Sequence, residues 1–194
     1  MTPLVAKLLH LGCMVGWWII RRPFARKTRR IALARNARDA REWALLSIST
    51  TGLGLIPLSY VLTGFPAFAN QAFSPVRAWV GAVVFAAALA LFQVTHKTLG
   101  RNWSVTLVVR EGHALVTQGV YRYLRHPMYA AFWLWAVAQA LLLQNWVAGP
   151  AGLIGFGTLY AFRIGREESL MRATFGADWD AYAARTWRVV PFLH

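Results

Sequence analysis

The stretch that decides the fold is the longest uncharged run of the chain, residues 127–162, PMYAAFWLWAVAQALLLQNWVAGPAGLIGFGTLYAF. At about 1.5 Å per residue, one helix of this length would far exceed a hydrocarbon core of roughly 30 Å. Gln144 and Asn145, followed by Gly149 and Pro150, interrupt the run near its middle. These residues predict a tight helical hairpin of two membrane-spanning segments.

Three further apolar segments precede the hairpin, at residues 3–20, 43–63 and 76–95. Of the 194 residues, 57% are hydrophobic and only 14% are charged, whereas an ordinary soluble domain has about 25% charged residues. A water-soluble chain of this size cannot bury so much apolar surface, so the composition predicts an all-α integral membrane protein with about five transmembrane helices. Trp17 and Trp18 near the end of the first segment, and the arginines directly after it, stand where a signal peptide would have a small-residue cleavage site, so the segment predicts a retained span. Pro57 predicts a kink in the second span.

Basic residues are concentrated in two loops. Nine of the 21 lysines and arginines lie within residues 21–41, and five more lie within residues 97–125 with a single acidic residue. Residues 64–74 carry no charge. By the positive-inside rule the two basic loops and the C-terminus are cytoplasmic, and the N-terminus and residues 64–74 are outside. The net charge of +14 therefore predicts contact with anionic membrane lipids and no nucleic-acid partner.

The chain predicts a single domain, residues 1–194, in two parts. Residues 1–96 carry the three N-terminal spans and the basic loop, whereas residues 97–194 carry the hairpin and the polar clusters that suggest chemistry. After the hairpin, a tail of mixed charge predicts an amphipathic helix that ends at residues 175–176 and a shorter helix over residues 178–185.

Four polar clusters fall on the predicted cytoplasmic side. They lie at residues 99–104, at residues 113–121, at residues 125–129, and at Arg163 with Glu167 and Glu168. Pro127 is suited to the start of a helix and holds His126 at the mouth of the fourth span, where unpaired N–H groups can receive an anion. An anchor that contacts lipid headgroups is the alternative for this cluster. Arg163 and Glu167 share one helix face at i,i+4, which leaves a surface ion pair and a role in a cavity both open.

Motifs for metals and common nucleophiles are absent from the sequence. One cysteine, Cys13, excludes a disulfide within the chain, and five histidines without HExxH or CxxC spacing predict no metal site. No serine or cysteine lies in a nucleophile elbow. His113, alone in a loop, is by itself more typical of a structural residue than of a catalytic one.

In their order along the chain, the four clusters resemble the isoprenylcysteine carboxyl methyltransferases and the wider group of small integral-membrane methyltransferases. That family is marked by an Arg-His-Pro-x-Tyr-x-Gly motif, a hydrophobic hairpin and a Glu-Glu pair. The matching residues here are Arg125-His126-Pro127-Met128-Tyr129-Ala130-Ala131 and Glu167-Glu168. The resemblance covers residues 96–191, and the layout is similar to that of short prokaryotic members. Ala131 stands where many members have glycine, and Trp179 replaces the tyrosine common after Phe-Gly.

The resemblance implies a cytosolic cofactor pocket, closed by the C-terminal helical segment, with S-adenosylmethionine as the cofactor. The residues that it implies for cofactor binding are His113, Ala114, Leu115, Val116, Tyr121, His126, Pro127, Met128, Tyr129 and Glu167. Arg163 would meet the carboxylate of the substrate, so Arg163 and Glu167 are the candidate catalytic residues.

The implied activity is methyl transfer to the carboxylate of a lipophilic substrate that enters from the bilayer, with a prenylated cysteine as the first choice. A carboxylate is ionised near pH 7, so the site needs no strong general base. Arg163 favours an anionic acceptor because a guanidinium can hold a carboxylate by two hydrogen bonds. A lipid amine or a small thiol as acceptor stays open, as does a membrane scaffold without activity. No obligate protein partner is evident, and a prokaryotic protein of this kind would lie in the cytoplasmic membrane.

Overall fold

The protein is represented by a computed structural model that describes residues 1–28, 33–36, 39–100, 108–110 and 114–191. Within these ranges the chain is helical apart from one short pair of strands and its turns and loops. Its helices, in chain order, are α1 Pro3–Thr28, α2 Ala40–Thr50, α3 Ile56–Thr63, α4 Pro75–Leu99, α5 Pro127–Leu142, α6 Ala151–Phe175 and α7 Ala177–Ala184. A π-helical turn, Thr51–Leu55, joins α2 to α3, and short 3-10 turns lie at Ala67–Ala69 and Gly119–Arg122.

Three helical segments of the described residues are long and apolar enough to cross a membrane, Pro3–Arg26, Ala40–Thr63 and Pro75–Leu99. They confirm, by length and composition, the three N-terminal spans that the sequence predicts. The helix α5 has 16 residues and a rise of about 24 Å, which is shorter than a hydrocarbon core of roughly 30 Å. The total of five spans therefore remains a prediction.

Two predicted boundaries differ from the structure. The helix α1 does not end at residue 20 but continues through the following arginines to Thr28. The helix α6 runs without interruption to Phe175, so the last apolar segment and the amphipathic helix of the tail are one helix. Arginine and glutamate end the apolar run without ending the helix, because both residues are good helix formers. The predicted end at residues 175–176 is confirmed.

The second span is irregular where the sequence predicts a kink, because the π turn Thr51–Leu55 lies directly before Pro57. Gln139 of α5 donates hydrogen bonds from Nε2 to the carbonyl oxygens of Gly52, at 3.0 Å, and of Ala148, at 2.7 Å. A π turn leaves backbone groups to be satisfied from outside the helix. Gln139 therefore joins the second span to the hairpin.

Small residues let the second span and α6 approach closely. A Cβ atom at Gly52 would lie 2.3 Å from the carbonyl oxygen of Ala151, and one at Gly155 would lie 2.8 Å from the carbonyl oxygen of Ile48. Both distances exclude a larger side chain, as at other helix contacts built from small residues. The close contact holds α2 and α6 together along the stretch of α6 that leads to Arg163.

Short contacts join the loops at each end of the helices. The strand β1, Leu33–Asn36, pairs antiparallel with β2, Val108–Arg110, and so connects the two predicted cytoplasmic loops. At the other end, the Asn145 side chain in the hairpin turn donates a 2.9 Å hydrogen bond to Asn70 of the uncharged loop. The sequence analysis did not predict the strands. Both contacts agree with the predicted topology, in which the two basic loops lie at one end of the helices and residues 64–74 lie at the other end with the hairpin turn. Which end is cytoplasmic remains a prediction.

Candidate functional site

A cavity of about 500 Å³ lies among the helices and is also lined by the segment before α5 and by α7. Small-molecule sites typically have volumes of roughly 300–1,000 Å³, so the cavity is large enough for a cofactor or a substrate. The residues of the predicted site that line it are Leu115, Val116, Tyr121, His126, Met128, Tyr129, Arg163 and Glu167. Leu99 of the first cluster lines the cavity as well, so the structure brings residues of all four predicted clusters to one place.

The other predicted site residues do not line the cavity in the described part of the chain. His113 lies outside the described residues, as do residues 101–104 of the first cluster. Ala114 is exposed and is not part of the cavity wall. Pro127 is buried as the first residue of α5, where it acts through the backbone by placing His126 at the helix start.

The carboxylate of Glu167 is where the polar side chains of the cavity meet. The Tyr129 hydroxyl donates a 2.5 Å hydrogen bond to Glu167 Oε2. His126 Nδ1 lies 3.8 Å from Glu167 Oε1, and Arg163 Nε lies 3.9 Å from Glu167 Oε2. The Glu167 side chain keeps 29% of its surface exposed, whereas that of Arg163 keeps 9%. The spacing of Arg163 and Glu167 left open a surface ion pair or a role in a cavity. Because Arg163 is buried, the two residues are not an ordinary surface ion pair.

Glu168 has a different set of partners from its neighbour Glu167. It accepts hydrogen bonds from His126 Nε2 at 3.2 Å and from Arg188 Nη2 at 2.8 Å, and Arg125 Nε lies 3.5 Å away. Burial alone would raise the pKa of the Glu168 carboxyl, but the hydrogen bonds from His126 and Arg188 outweigh burial and lower its pKa to about 2. Glu168 therefore connects α6 to the start of α5 and to the C-terminal segment.

The C-terminal segment lies across the start of α5 and forms one side of the cavity. The backbone N–H groups of Arg125 and His126 donate to carbonyl oxygens of residues 187–188, at 2.7 and 3.0 Å. The Tyr182 hydroxyl of α7 donates to the carbonyl oxygen of Tyr121 at 2.8 Å. Burial raises the pKa of Tyr182 to about 12, so the hydroxyl keeps its proton and remains a donor near neutral pH.

The rest of the cavity wall is largely apolar and comes mostly from the membrane helices. Its apolar residues include Met14, Trp17, Trp43, Leu46, Leu53, Gly54, Phe92, Phe132, Trp135, Phe156 and Leu159. The cavity thus combines a polar end, around Glu167, with an apolar chamber. Within the ranges that the structure describes, no group of three or more His, Cys, Asp or Glu side chains could hold a metal ion.

Two charged residues of the N-terminal half reach the site although the sequence analysis did not select them. Arg21 of α1 lines the cavity. Glu42 of α2 is fully buried, and its Oε1 lies 3.3 Å from Arg163 Nη2. Asp39 and Glu42 are the only acidic residues among the first 110, and Glu42 adjoins an apolar span. A lone acidic residue at such a position is the signal that could have identified it.

Much of this cavity lies in a part of the chain that is similar to a known family. Residues 79–173, which include His126, Tyr129, Arg163 and Glu167, match the model of the isoprenylcysteine carboxyl methyltransferase (ICMT) family. This part of the chain is similar to the ICMT family. Of the two departures from the ICMT pattern, Ala131 is buried in α5 and does not line the cavity, whereas Trp179 does line it.

Several ICMT enzymes are similar in sequence to this chain. The protein-S-isoprenylcysteine O-methyltransferase of Dictyostelium discoideum is 33% identical over 122 residues, which are 60% of this chain and 50% of that protein. Protein-S-isoprenylcysteine O-methyltransferase B of Arabidopsis thaliana is 35% identical over 99 residues, 50% of each protein. The human protein-S-isoprenylcysteine O-methyltransferase is 30% identical over 81 residues, 42% of this chain and 28% of that protein. The chain spans about half the length of the first two relatives.

A solved structure of an ICMT shows the same fold. The eukaryotic intramembrane Ras methyltransferase ICMT matches with a TM-score of 0.54 and 22% identity, over 82% of this chain and 55% of that one. The likeness confirms the prediction of an all-α integral membrane fold.

Proposed function

We propose that this protein transfers a methyl group from S-adenosylmethionine to the carboxylate of a lipophilic substrate, with a prenylated cysteine as the first choice. The observation that carries the proposal is the cavity that joins a polar end, at Arg163 and Glu167, to an apolar chamber. Similarity to proteins named protein-S-isoprenylcysteine O-methyltransferases supports the same activity.

The polar end of the cavity fits a cofactor that carries positive charge. S-adenosylmethionine, when bound, supplies a methyl group activated on a sulfonium, and it also carries an ammonium group. Glu167 presents a partly exposed carboxylate to the cavity and would accept hydrogen bonds from that ammonium. Tyr121, Tyr129 and Trp179 also line the cavity, and aromatic rings beside a bound cation would favour it. The hydrogen bond from Tyr129 holds the Glu167 carboxylate in place.

Arg163 would hold the carboxylate of the acceptor. Its guanidinium lines the cavity beside Glu167, so an acceptor held there would lie close to a cofactor held by Glu167. No proton has to move, because the carboxylate is ionised near neutral pH and the product is an ester. The site therefore acts by positioning its two ligands and by excluding water.

The apolar chamber would receive the hydrocarbon chain of the substrate. Its wall is built by α1, the second span, α4, α5 and α6, so a chain bound there would lie among membrane helices. A lateral route from the bilayer would deliver such a substrate directly. The positive-inside rule supports a cavity that faces the cytosol, with the N-terminus outside and the basic loops against anionic lipids.

A second candidate function is methylation of a lipid amine. The Arg163 guanidinium lies within 4 Å of two carboxylates, those of Glu42 and Glu167, so the three groups sum to one negative charge. This balance favours a cationic acceptor more than an isolated arginine would. We rank this function second because an amine must first lose a proton.

The deciding experiment is transfer of radiolabelled methyl groups in detergent to three acceptors: an S-farnesyl cysteine derivative, phosphatidylethanolamine and an alkyl thiol. We expect label on the farnesyl cysteine that alkali releases as methanol, because a methyl ester is hydrolysed by base. Alkali-stable label on the amine or the thiol would instead identify a different acceptor. The absence of transfer from folded protein to all three acceptors would refute the proposal.

A further inference from the structure

A buried ion pair lies behind Arg163 and involves a residue outside the part of the chain that matches the family. Glu42 of α2 has no exposed surface, and its Oε1 lies 3.3 Å from Arg163 Nη2. Within the described residues, no group donates a hydrogen bond to either oxygen of Glu42. A carboxylate so removed from water needs a nearby positive charge, and Arg163 supplies it.

The pair is the inner one of two that connect α2 to α6. In the outer pair, Arg166 Nη2 lies 2.7 Å from Asp39 Oδ2. Side-chain exposure is 31% and 48% in the outer pair but 9% and 0% in the inner pair. Asp39 is the N-cap of α2, three residues before Glu42, and the two arginines, three residues apart, share one face of α6. The outer pair is therefore a solvent-exposed control for the inner one.

Glu42 and Glu167 approach the Arg163 guanidinium from two helices. Glu167 lines the cavity, whereas Glu42 does not, although its neighbour Trp43 does. A ligand in the cavity would therefore meet Arg163 and Glu167 but would not touch Glu42. Any effect of Glu42 on the reaction has to act through Arg163.

The proposed reaction neutralises a negative and a positive charge, and this loss of charge suggests a role for the carboxylate behind Arg163. A bond forms between a carboxylate oxygen and the methyl carbon, the sulfur–carbon bond breaks, and opposite charges become a neutral ester and a neutral thioether. A guanidinium that held the acceptor carboxylate at full strength would stabilise the starting charges more than the transition state, in which they are disappearing. Such ground-state stabilisation slows a reaction. A second carboxylate behind the guanidinium weakens its hold on the acceptor.

We propose that Glu42 is a positioning residue that acts through Arg163 and limits the strength with which Arg163 binds the acceptor carboxylate. The inference rests on the proposed function, and it assigns a role in that reaction to the N-terminal half of the chain. It gives a function to a carboxylate at a fully buried position of α2, where a charge is costly to bury.

The test compares Glu42→Gln with the wild type and with the control Asp39→Asn, measuring kcat and KM for the farnesyl cysteine acceptor and for the cofactor. Glu42→Gln keeps the shape of the side chain and removes its charge. We expect its KM for the acceptor and its kcat to fall together, each by about three- to tenfold, with the cofactor KM nearly unchanged. Asp39→Asn should leave all of these constants unchanged, because the outer pair is exposed and asparagine still caps α2.

Glu42→Asp keeps the charge but withdraws it by one methylene, so it should show the same joint fall to a smaller extent. This variant decides the question if Glu42→Gln does not fold. A fall in kcat with an unchanged or raised acceptor KM would show that Glu42 supports only packing, and would overturn the inference. Wild-type protein without transfer to a carboxylate would refute the proposed function first, and the inference would fall with it.

Discussion

Removing the charge of Arg163 should destabilise the protein as well as inactivate it. Arg163 is 7% exposed, and its partner Glu42 is fully buried, so Arg163→Met leaves a carboxylate in the interior without its counter-charge. Breaking a buried pair in this way typically costs about 3–5 kcal/mol. For a chain of this length, about 1 kcal/mol shifts Tm by roughly 2–4 °C, which predicts a fall of roughly 6–20 °C.

A double variant separates the stability effect from the catalytic one. Glu42→Gln together with Arg163→Met removes both charges and should restore most of the lost Tm, since no unpaired charge is then buried. It should not restore methyl transfer to a carboxylate. Loss of a charged partner from a desolvated site costs about 2–5 kcal/mol, or roughly 30-fold to several thousand-fold in kcat/KM.

Thermal unfolding in detergent and methyl transfer, measured on the same preparations, are the assays. The matched control is Arg172→Met on the same helix, where the arginine side chain is 65% exposed and pairs with Asp180. This change should cost less than about 1 kcal/mol. The reasoning is refuted if Arg163→Met lowers Tm no more than the control, or if the double variant is no more stable than Arg163→Met alone.

Three further predictions concern other parts of the site. Glu167→Gln should weaken S-adenosylmethionine binding by about 1.5–3 kcal/mol, or roughly 10- to 150-fold in Kd by isothermal titration, because a charged hydrogen bond is lost; an unchanged Kd would contradict this role. The pKa of Glu168 is lowered to about 2 from an ordinary 4.5, so the ionised carboxylate stabilises the folded protein fully above about pH 4.5, and this stabilisation is lost as the pH falls toward 2. Glu168→Gln should therefore flatten the acid limb of a Tm–pH profile. An unaltered limb would count against the lowered pKa. Gly54→Phe should shift acceptor preference from long to short prenyl chains, because Gly54 lines the cavity and a Cβ atom there would have no neighbour closer than 4.0 Å, so the ring can enter the chamber. Equal preference would show that the chamber does not hold the chain.

Much of the site was predictable from the sequence because its residues lie in short local patterns. The segment Arg125-His126-Pro127-Met128-Tyr129 places a histidine at a helix start and a tyrosine less than one turn later, whatever packs around them. Arg163 and Glu167 share a helix face by spacing alone. In the structure His126, Tyr129, Arg163 and Glu167 line one cavity, and their roles in it remain predictions.

The parts that the sequence did not predict depend on packing between distant segments. The strands β1 and β2 form only because two loops meet. By contrast, the continuation of α6 past the apolar run is local, since helix propensity sustains it and the hydropathy pattern does not show it. Glu42 stands in no motif and lies far from Arg163 in the chain. Its role depends on the register between α2 and α6, which local periodicity does not encode.

By itself, the sequence determined that the chain is a membrane protein and where its N-terminal spans lie, and it predicted which residues carry its chemistry. Apolar length, the positions of the arginines and the spacing of short motifs act locally, so they can be recognised without a fold. Only the tertiary structure decided that Arg163 is buried, that two carboxylates share its guanidinium and that an apolar chamber adjoins it. Burial and charge balance are properties of the surroundings of a side chain, and those surroundings come from helices that are distant in the sequence.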